Sequence, residues 1–318
     1  MLQSAYNQNA KLQFGRIGRN ISISENKLKH FDVLNAEAFL VREKDKINVR
    51  NLFQDFYHSK LDVGIGFQRA YGSVLAGDYF DLIKLPDSSY LFIFTDVSGH
   101  GLPAYTTLIR LRSAISIAVK SIKKTYVENS SNSPINTAYL IQDIVKKFTD
   151  IMEDANTNDF ACVNFTVIIE EENYFRLKFY NRSMLFPMVV RTENNSVKLI
   201  NLNNKHLDWT PNKSFLMGTE LRKLVGEEYY HTPECEFILK EGDSLLYYSD
   251  GIVEAYSDDD QNDDSFGEQR LEKALIDHAG LVPQIVVDEV IRTVYEYIGS
   301  PVQQRDDMTA VMINFPNK

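Results

Sequence analysis

The order of strand-like and helix-like segments is the feature that most limits the fold of this chain. Strand-like segments, rich in β-branched and aromatic residues, come in runs, and helical segments also come in runs. In order, strands occupy about 61–96, helices 102–122 and 136–153, strands 160–248, helices 267–280 and 283–299, and a strand 308–315. Such segregation is typical of an α+β sandwich and disfavours a doubly wound parallel sheet.

Local patterns support these assignments. In the first helical segment, apolar residues recur at steps of three and four, and Pro103 suits its first turn. Residues 160–171 and 174–182 read as an antiparallel pair, and a second hairpin is predicted to turn at Asn194 and Asn195. No glycine-rich nucleotide loop or Walker lysine motif is present, which disfavours nucleotide-binding α/β folds.

The chain divides into two parts by composition. Residues 1–60 are rich in Asn, Lys and Glu, and a short amphipathic helix is expected over 47–60. We interpret 1–60 as an N-terminal extension, either regulatory or a simple packing arm. Residues 61–318 are expected to form the main domain.

Charge and cysteine content exclude several functions. The formal charge of −10 over 318 residues disfavours nucleic acid as a partner. The two cysteines form no Cys-x-x-Cys pair, which excludes a disulfide scaffold and a zinc ribbon. We find neither an apolar run that could span a bilayer nor a signal peptide, and we expect a cytoplasmic protein without membrane insertion.

Aspartates occur at the ends of four predicted strands. Asp96 ends the strand SYLFIFT, and Asp250 ends SLLYYS and precedes Gly251. Asp306 and Asp307 come directly before the last strand. Asp78 follows a glycine inside a strand-like run, with Asp81 three residues later.

Grouped aspartates suit hard divalent cations, which prefer oxygen ligands. Aspartates gathered at one end of two packed sheets could hold two cations roughly 3.5–4 Å apart, and Mg²⁺ or Mn²⁺ matches such ligands. The alternative for each position is an ordinary turn residue, since Asp beside Gly is common in turns. We interpret the acidic stretch 258–265 as a solvated loop and Cys162 as a core residue.

Taken together, five segments resemble a known family. GDYFDLIKL, FTDVSGHGLPA, EGDSLLYYSDGIVEA, FGEQRL and RDDMTAVMINF are similar to motifs of the bacterial PPM-type serine/threonine phosphatases, which are relatives of protein phosphatase 2C. A similar subgroup includes the sporulation stage II protein E and the sigma-factor regulator RsbU. The resemblance covers about 61–318 and implies a four-layer αββα sandwich of two antiparallel sheets flanked by helices.

The resemblance also implies roles for individual residues. The expected ligands of two divalent cations, Mn²⁺ or Mg²⁺, are Asp78, Asp96, the carbonyl of Val97, Asp250 and Asp306. Asp96 would bridge both cations and is expected to be catalytic. His100 would assist the leaving oxygen or hold its loop, and the role of Asp307 stays open. Two motifs depart from the family: Ala76 replaces a glycine, and YNRSMLFP replaces a middle-strand motif.

The implied activity is hydrolysis of phosphoserine or phosphothreonine on a protein by a water held between two cations. The implied substrate is a phosphorylated STAS-domain anti-anti-sigma factor in a partner-switching pathway, and residues 1–60 would carry a signal through a homodimer or a sensor. Two alternatives are a non-catalytic binding module on the same fold, and a phosphatase acting on another phosphoprotein or a small phosphate ester.

Overall fold

A computed structural model describes residues 61–73, 75–99, 101–128, 133–193, 196–202, 215–257 and 264–315. The predictions for His100, for the extension 1–60, for the turn at 194–195 and for most of 258–265 therefore lie outside the described residues.

The described residues form two antiparallel sheets. Sheet I contains, in spatial order, β1 (Asp62–Gln68), β11 (Met308–Asn314), β10 (Ser244–Tyr248), β6 (Met188–Glu193) and β7 (Ser196–Asn201). Sheet II contains β2 (Tyr79–Lys84), β3 (Tyr90–Val97), β4 (Phe160–Glu170), β5 (Tyr174–Arg182) and β9 (Cys235–Lys240), with β8 (Met217–Gly218) paired to the tip of β4. This arrangement confirms the predicted α+β class.

The described helices are α1 (Gly101–Glu128), α2 (Thr137–Asp154), α3 (Thr219–Val225), α4 (Asp250–Val253), α5 (Gly267–Asp277) and α6 (Pro283–Ile298), and 3-10 turns lie at Gly226–Tyr230 and Pro301–Gln303. Helix α1 continues six residues beyond the predicted end at 122, where Lys124 and Glu128 form an i,i+4 pair at 3.7 Å. The short helix α3 was not predicted, because seven residues give too little periodicity to recognise.

Buried apolar residues between the layers hold the sandwich together. Between the sheets, the Tyr247 ring lies 4.6 Å from that of Phe92 and 5.7 Å from that of Phe94, measured between centroids. On the outer side of sheet I, α5 and α6 bury residues such as Leu271, Val287 and Ile291. Helices α1 and α2 pack together, and α1 contacts β3 and β4 on sheet II. The four-layer αββα order is confirmed.

Strand pairing fixes which chain ends meet. Tyr79, the first residue of β2, pairs with Thr95 near the end of β3. Tyr248, the last residue of β10, pairs with Ala310 near the start of β11. The predicted hairpin of β6 and β7 is present, with Glu193 opposite Ser196. Each sheet therefore brings the start of one strand beside the end of another.

None of the described helices is long and apolar enough to cross a bilayer.

Candidate metal-binding site

The predicted aspartates come together at one edge of the sandwich, where β2 and β11 begin and β3 and β10 end. Asp78 directly precedes β2, and Asp96 lies one residue before the end of β3. Asp250 is the first residue of α4, just after β10, and Asp306 lies two residues before β11. The charges of Asp250, Asp306 and Asp307 all act on Asp96, and the charge of Asp96 acts on Asp78. Both sheets therefore contribute carboxylates to one shared site.

Asp250 is the neighbouring carboxylate with the largest effect on Asp96. Burial, followed by the negative charges of Asp250 and Asp306, raises the pKa of Asp96 from 3.8 to about 8. Two ionised carboxylates cannot donate a hydrogen bond to each other, so the pair needs a proton or a cation between them.

Asp78 is held by a hydroxyl group of sheet I. Its side chain is buried, and its Oδ2 accepts a hydrogen bond from Oγ1 of Thr309 at 2.6 Å. Burial and then the charge of Asp96 raise the pKa of Asp78 well above its ordinary value, and the hydrogen bond from Thr309 opposes this shift. The Thr309 hydroxyl therefore fixes the direction of the carboxylate.

Asp307 has a positioning role that the sequence left open. Its carboxylate accepts the backbone N–H of Ala70 at 2.9 Å and that of Gly77 at 2.7 Å, and the backbone of Asp78 also hydrogen-bonds to it. Its neighbour Asp306 is exposed and accepts the N–H of Asp307 at 2.8 Å. Asp307 thus pins the loop that carries Asp78, while Asp306 faces outward.

Two glycines allow the backbone to approach closely at this edge. A Cβ atom on Gly251 would stand 2.1 Å from the carbonyl oxygen of Asp307. A Cβ atom on Gly77 would stand 2.8 Å from the carbonyl oxygen of Val97 and 3.2 Å from that of Gly99. Real side chains do not tolerate the shorter of these distances, so both positions require glycine. The predicted backbone ligand, Val97, therefore lies beside the loop of Asp78.

The donor set fits hard divalent cations. The cluster offers carboxylate oxygens and backbone carbonyls, which Mg²⁺ and Mn²⁺ prefer, and burial followed by neighbouring carboxylates raises the pKa values of Asp78 and Asp96. Among the residues that the structure describes, no three His, Cys, Asp or Glu side chains are close enough to enclose a metal ion in this geometry. The individual ligand roles therefore stay predictions.

Two other residues near the edge have different surroundings. Asp81 accepts the Tyr79 hydroxyl at 2.6 Å and the backbone N–H of Leu82 at 2.9 Å. Cys162 pairs with Asp96 across β3 and β4, and burial followed by the charges of Asp96 and Asp250 raises its pKa to about 12. A thiol with so high a pKa is protonated at neutral pH and is a poor nucleophile.

Sequence reasoning did not single out Ser249 and Thr309. Ser249, directly after β10, links that strand to β11. Its Oγ donates to the carbonyl of Asp307 at 3.1 Å and accepts the N–H of Thr309 at 2.9 Å. Both residues stand inside the segments SDG and RDDMT that were already recognised as motifs. Ser249 directly precedes Asp250, and Thr309 is two residues after Asp307, so their closeness in sequence to these aspartates could have identified them.

Solved structures share this architecture. The SiaA-PP2C domain of Pseudomonas aeruginosa has 18% identity and a TM-score of 0.61, with 92% of this chain and 100% of that chain covered. The PP2C phosphatase domain of SpoIIE from Bacillus subtilis, solved with a fragment of its regulatory domain, has 16% identity and a TM-score of 0.55, covering 81% of this chain and 64% of that one. The fold is therefore that of PP2C-type phosphatase domains.

The family follows from the sequence itself. The model of the stage II sporulation protein E (SpoIIE) family matches residues 86–316. No curated protein sequence matches the chain. The chain belongs to the SpoIIE family, which consists of PP2C-type serine/threonine phosphatase domains.

Proposed function

We propose that residues 61–318 act as a metal-dependent protein phosphatase that hydrolyses phosphoserine or phosphothreonine, and that 1–60 are an extension to this domain. One observation carries the proposal: hydrogen bonds and close backbone contacts bring the segments that contain Asp78, Asp96, Asp250 and Asp306 together at a single edge of the sandwich. Asp78, Asp96, Asp250, Asp306 and the carbonyl of Val97 would hold the cations. When bound, two divalent cations supply Lewis-acid activation for hydrolysis of a phosphate monoester.

The chain's own residues prepare this site. Thr309 orients the Asp78 carboxylate, Ser249 ties the segment before β11 to the end of β10, and Asp307 fixes the loop before β2 through backbone N–H groups. Asp96 lies on strand β3. Its charge acts on Asp78, and the charge of Asp250 acts on Asp96, so Asp96 is the candidate bridging ligand. The proposed catalytic contribution of His100 is part of the same hypothesis and rests on its position four residues after Asp96.

The proposed substrate is a phosphorylated STAS-domain anti-anti-sigma factor in a partner-switching pathway. Support comes from the SpoIIE family membership and from a fold match to the RsbU and RsbW domains of a Mycobacterium tuberculosis protein, with 16% identity, a TM-score of 0.50, and 81% of this chain and 61% of that chain covered. A phosphoprotein carries about −1.5 to −2 charge at each phosphorylated residue, which divalent cations offset.

The test compares Asp96→Asn with Asp277→Asn, an exposed aspartate at the end of α5. Release of phosphate from a serine-phosphorylated STAS-domain protein is measured with MnCl₂. We expect Asp96→Asn to abolish release and Asp277→Asn to retain it. Full activity of Asp96→Asn would contradict the site, and activity on p-nitrophenyl phosphate alone would favour a small-ester phosphatase.

A further inference from the structure

Helix α1 has an outer face whose chemistry differs from that of the rest of the molecule. The whole helix contains five basic residues and one acidic residue, although the chain has a formal charge of −10. Arg112 lies over the Tyr79 ring, and Lys124 is near Glu128. Within the described part of the chain, Arg110, Lys120 and Lys123 have no carboxylate partner. A concentration of unpaired cations on one helix of an acidic protein needs a reason.

The same face exposes apolar side chains. Leu102, Ile109 and Ile117 are 47%, 42% and 51% exposed. With Lys120 they fall on one stripe, because their spacings of seven, eight and three residues correspond to about two, two and one helical turns. Solvated helix faces are ordinarily polar, so this stripe is an exception.

Hydroxyl groups on this face are already satisfied locally. Thr106 Oγ1 donates to the carbonyl of Leu102 at 2.8 Å, and Ser113 Oγ donates to that of Ile109 at 2.9 Å. These bonds direct the hydroxyl hydrogens to the helix backbone. The stripe therefore presents mainly carbon surface in its first half and free ammonium groups in its second half.

The neighbouring helix α2 differs from α1 in this respect. On α2, Lys146 pairs with Asp150 at 3.4 Å and Lys147 pairs with Asp143 at 3.1 Å. Each lysine there has an acidic partner one turn away. Among the described residues, Arg110, Lys120 and Lys123 of α1 have no such partner and are available to another molecule.

The stripe begins at the proposed active site. Helix α1 starts at Gly101, five residues after Asp96, and its 28 residues extend about 40 Å. A protein bound along α1 would have its nearest part at the edge where the aspartates meet. A partner on this surface is therefore placed to present a phosphorylated side chain to the site.

We propose that the outer face of α1 is a docking surface for the phosphoprotein substrate, and that it selects substrates with an acidic surface. Leu102, Ile109 and Ile117 supply apolar contact, and Lys120 and Lys123 supply charge complementarity. This inference rests on the proposed phosphatase function, because it assigns the substrate class of that site. A second copy of the chain and an anionic membrane are the competing occupants.

The experiment uses the full chain and two phosphoserine proteins of opposite charge, phosphorylated casein (acidic) and phosphorylated histone (basic). Lys120→Glu/Lys123→Glu is compared with Lys84→Glu/Lys273→Glu, which changes the same charge at exposed lysines of β2 and α5. We expect the α1 variant to lose about tenfold in kcat/KM on phosphocasein through KM. Its activity on p-nitrophenyl phosphate and the activities of the control variant should be unchanged.

A second variant, Ile109→Ser/Ile117→Ser, tests the apolar half and should also raise KM for phosphocasein alone. Equal phosphocasein kinetics in wild type and both α1 variants would overturn the proposal, as would an equal loss on phosphohistone. Two other results would overturn it if phosphocasein kinetics stay unchanged in the α1 variants. One is a change in the oligomeric state of these variants, measured by sedimentation. The other is that wild type binds phosphatidylserine vesicles and the variants do not.

A binding measurement distinguishes failure of the proposed phosphatase activity from failure of the proposed docking surface. If wild type hydrolyses neither p-nitrophenyl phosphate nor a phosphoprotein, the proposed activity fails. Calorimetric titration with phosphocasein then still measures docking. Binding by wild type that weakens in the α1 variants supports the docking surface, and binding of equal strength overturns it.

Discussion

The carboxylate of Asp307 accepts the backbone N–H of Gly77 at 2.7 Å, across 230 positions of sequence. This bond and the one from Ala70 hold the loop before β2 against the segment before β11. Because Asp78 follows Gly77 directly, the position of one proposed ligand depends on an aspartate that the resemblance left without a role.

The first prediction concerns this link. Asp307→Ala leaves the N–H groups of Ala70 and Gly77 without their acceptor inside the protein, so we expect a loss of about 2–4 kcal/mol in the free energy of unfolding. Asp307→Asn keeps one acceptor oxygen and should lose less. Urea unfolding measures both, with Asp277→Ala as the control. Equal stability of Asp307→Ala and wild type would contradict the positioning role.

A second prediction concerns Gly251. Its missing Cβ would stand 2.1 Å from the Asp307 carbonyl oxygen, so Gly251→Ala must displace the segment before β11. We expect at least about 2 kcal/mol of destabilisation and loss of activity. The matched control is Gly280→Ala, where no atom lies within 4 Å and the positive φ of 86° alone should cost about 1 kcal/mol. Comparable losses in the two variants would argue against the close contact.

The third prediction concerns pH. Because burial and neighbouring carboxylates raise the pKa of Asp96 from 3.8 to about 8, the folded protein binds more protons than the unfolded chain between these values. Stability of the metal-free protein should therefore fall as pH rises from about 4 to about 8. Asp78, whose pKa is also raised, acts in the same direction. Thermal melts in EDTA at pH 5, 6, 7 and 8 measure the slope.

Asp96→Asn replaces a carboxyl group that must take up a proton when the metal-free protein folds, so in EDTA at pH 7.5 we expect the variant to be about 1–3 kcal/mol more stable than wild type although it is inactive. Asp277→Asn should show no gain. A metal-free Asp96→Asn variant that is less stable than wild type at this pH would show that the carboxylate is compensated within the protein.

A fourth prediction concerns cations. MnCl₂ added to the EDTA-treated protein should raise its melting temperature, because binding to the folded state alone contributes about 2.7 kcal/mol at one hundred times Kd. Asp250→Asn should reduce this shift, and Asp277→Asn should keep it. Calorimetric titration with MnCl₂ gives the stoichiometry. No shift in the melting temperature of wild type at any MnCl₂ concentration would contradict the proposed site.

Much of the fold was readable from local pattern. β3 was recognised because its β-branched and aromatic residues are continuous, and the runs of strands and helices indicated the sandwich. Other features depend on tertiary partners. β9 and β10 lie side by side in sequence but belong to different sheets, and nothing in their residues specifies which strand each one joins.

The candidate site shows the same division. The motifs indicated which aspartates belong together, and their electrostatic coupling agrees with that grouping. The role of Asp307 could not be derived, because its acceptor bonds reach backbone groups far away in sequence, and a backbone N–H looks the same in every residue. The extension of α1 to Glu128 escaped prediction because polar residues dominate its last turns.

The position of β11 inside sheet I has a consequence for biosynthesis. β11 lies between β1 and β10 yet is the last of the described strands to leave the ribosome. Until it emerges, β1 cannot join the rest of its sheet, and Asp78 lacks its Thr309 partner. A nascent chain stalled short of this strand therefore has exposed sheet edges and an unfinished centre, which makes it a client for chaperones rather than a partly active enzyme.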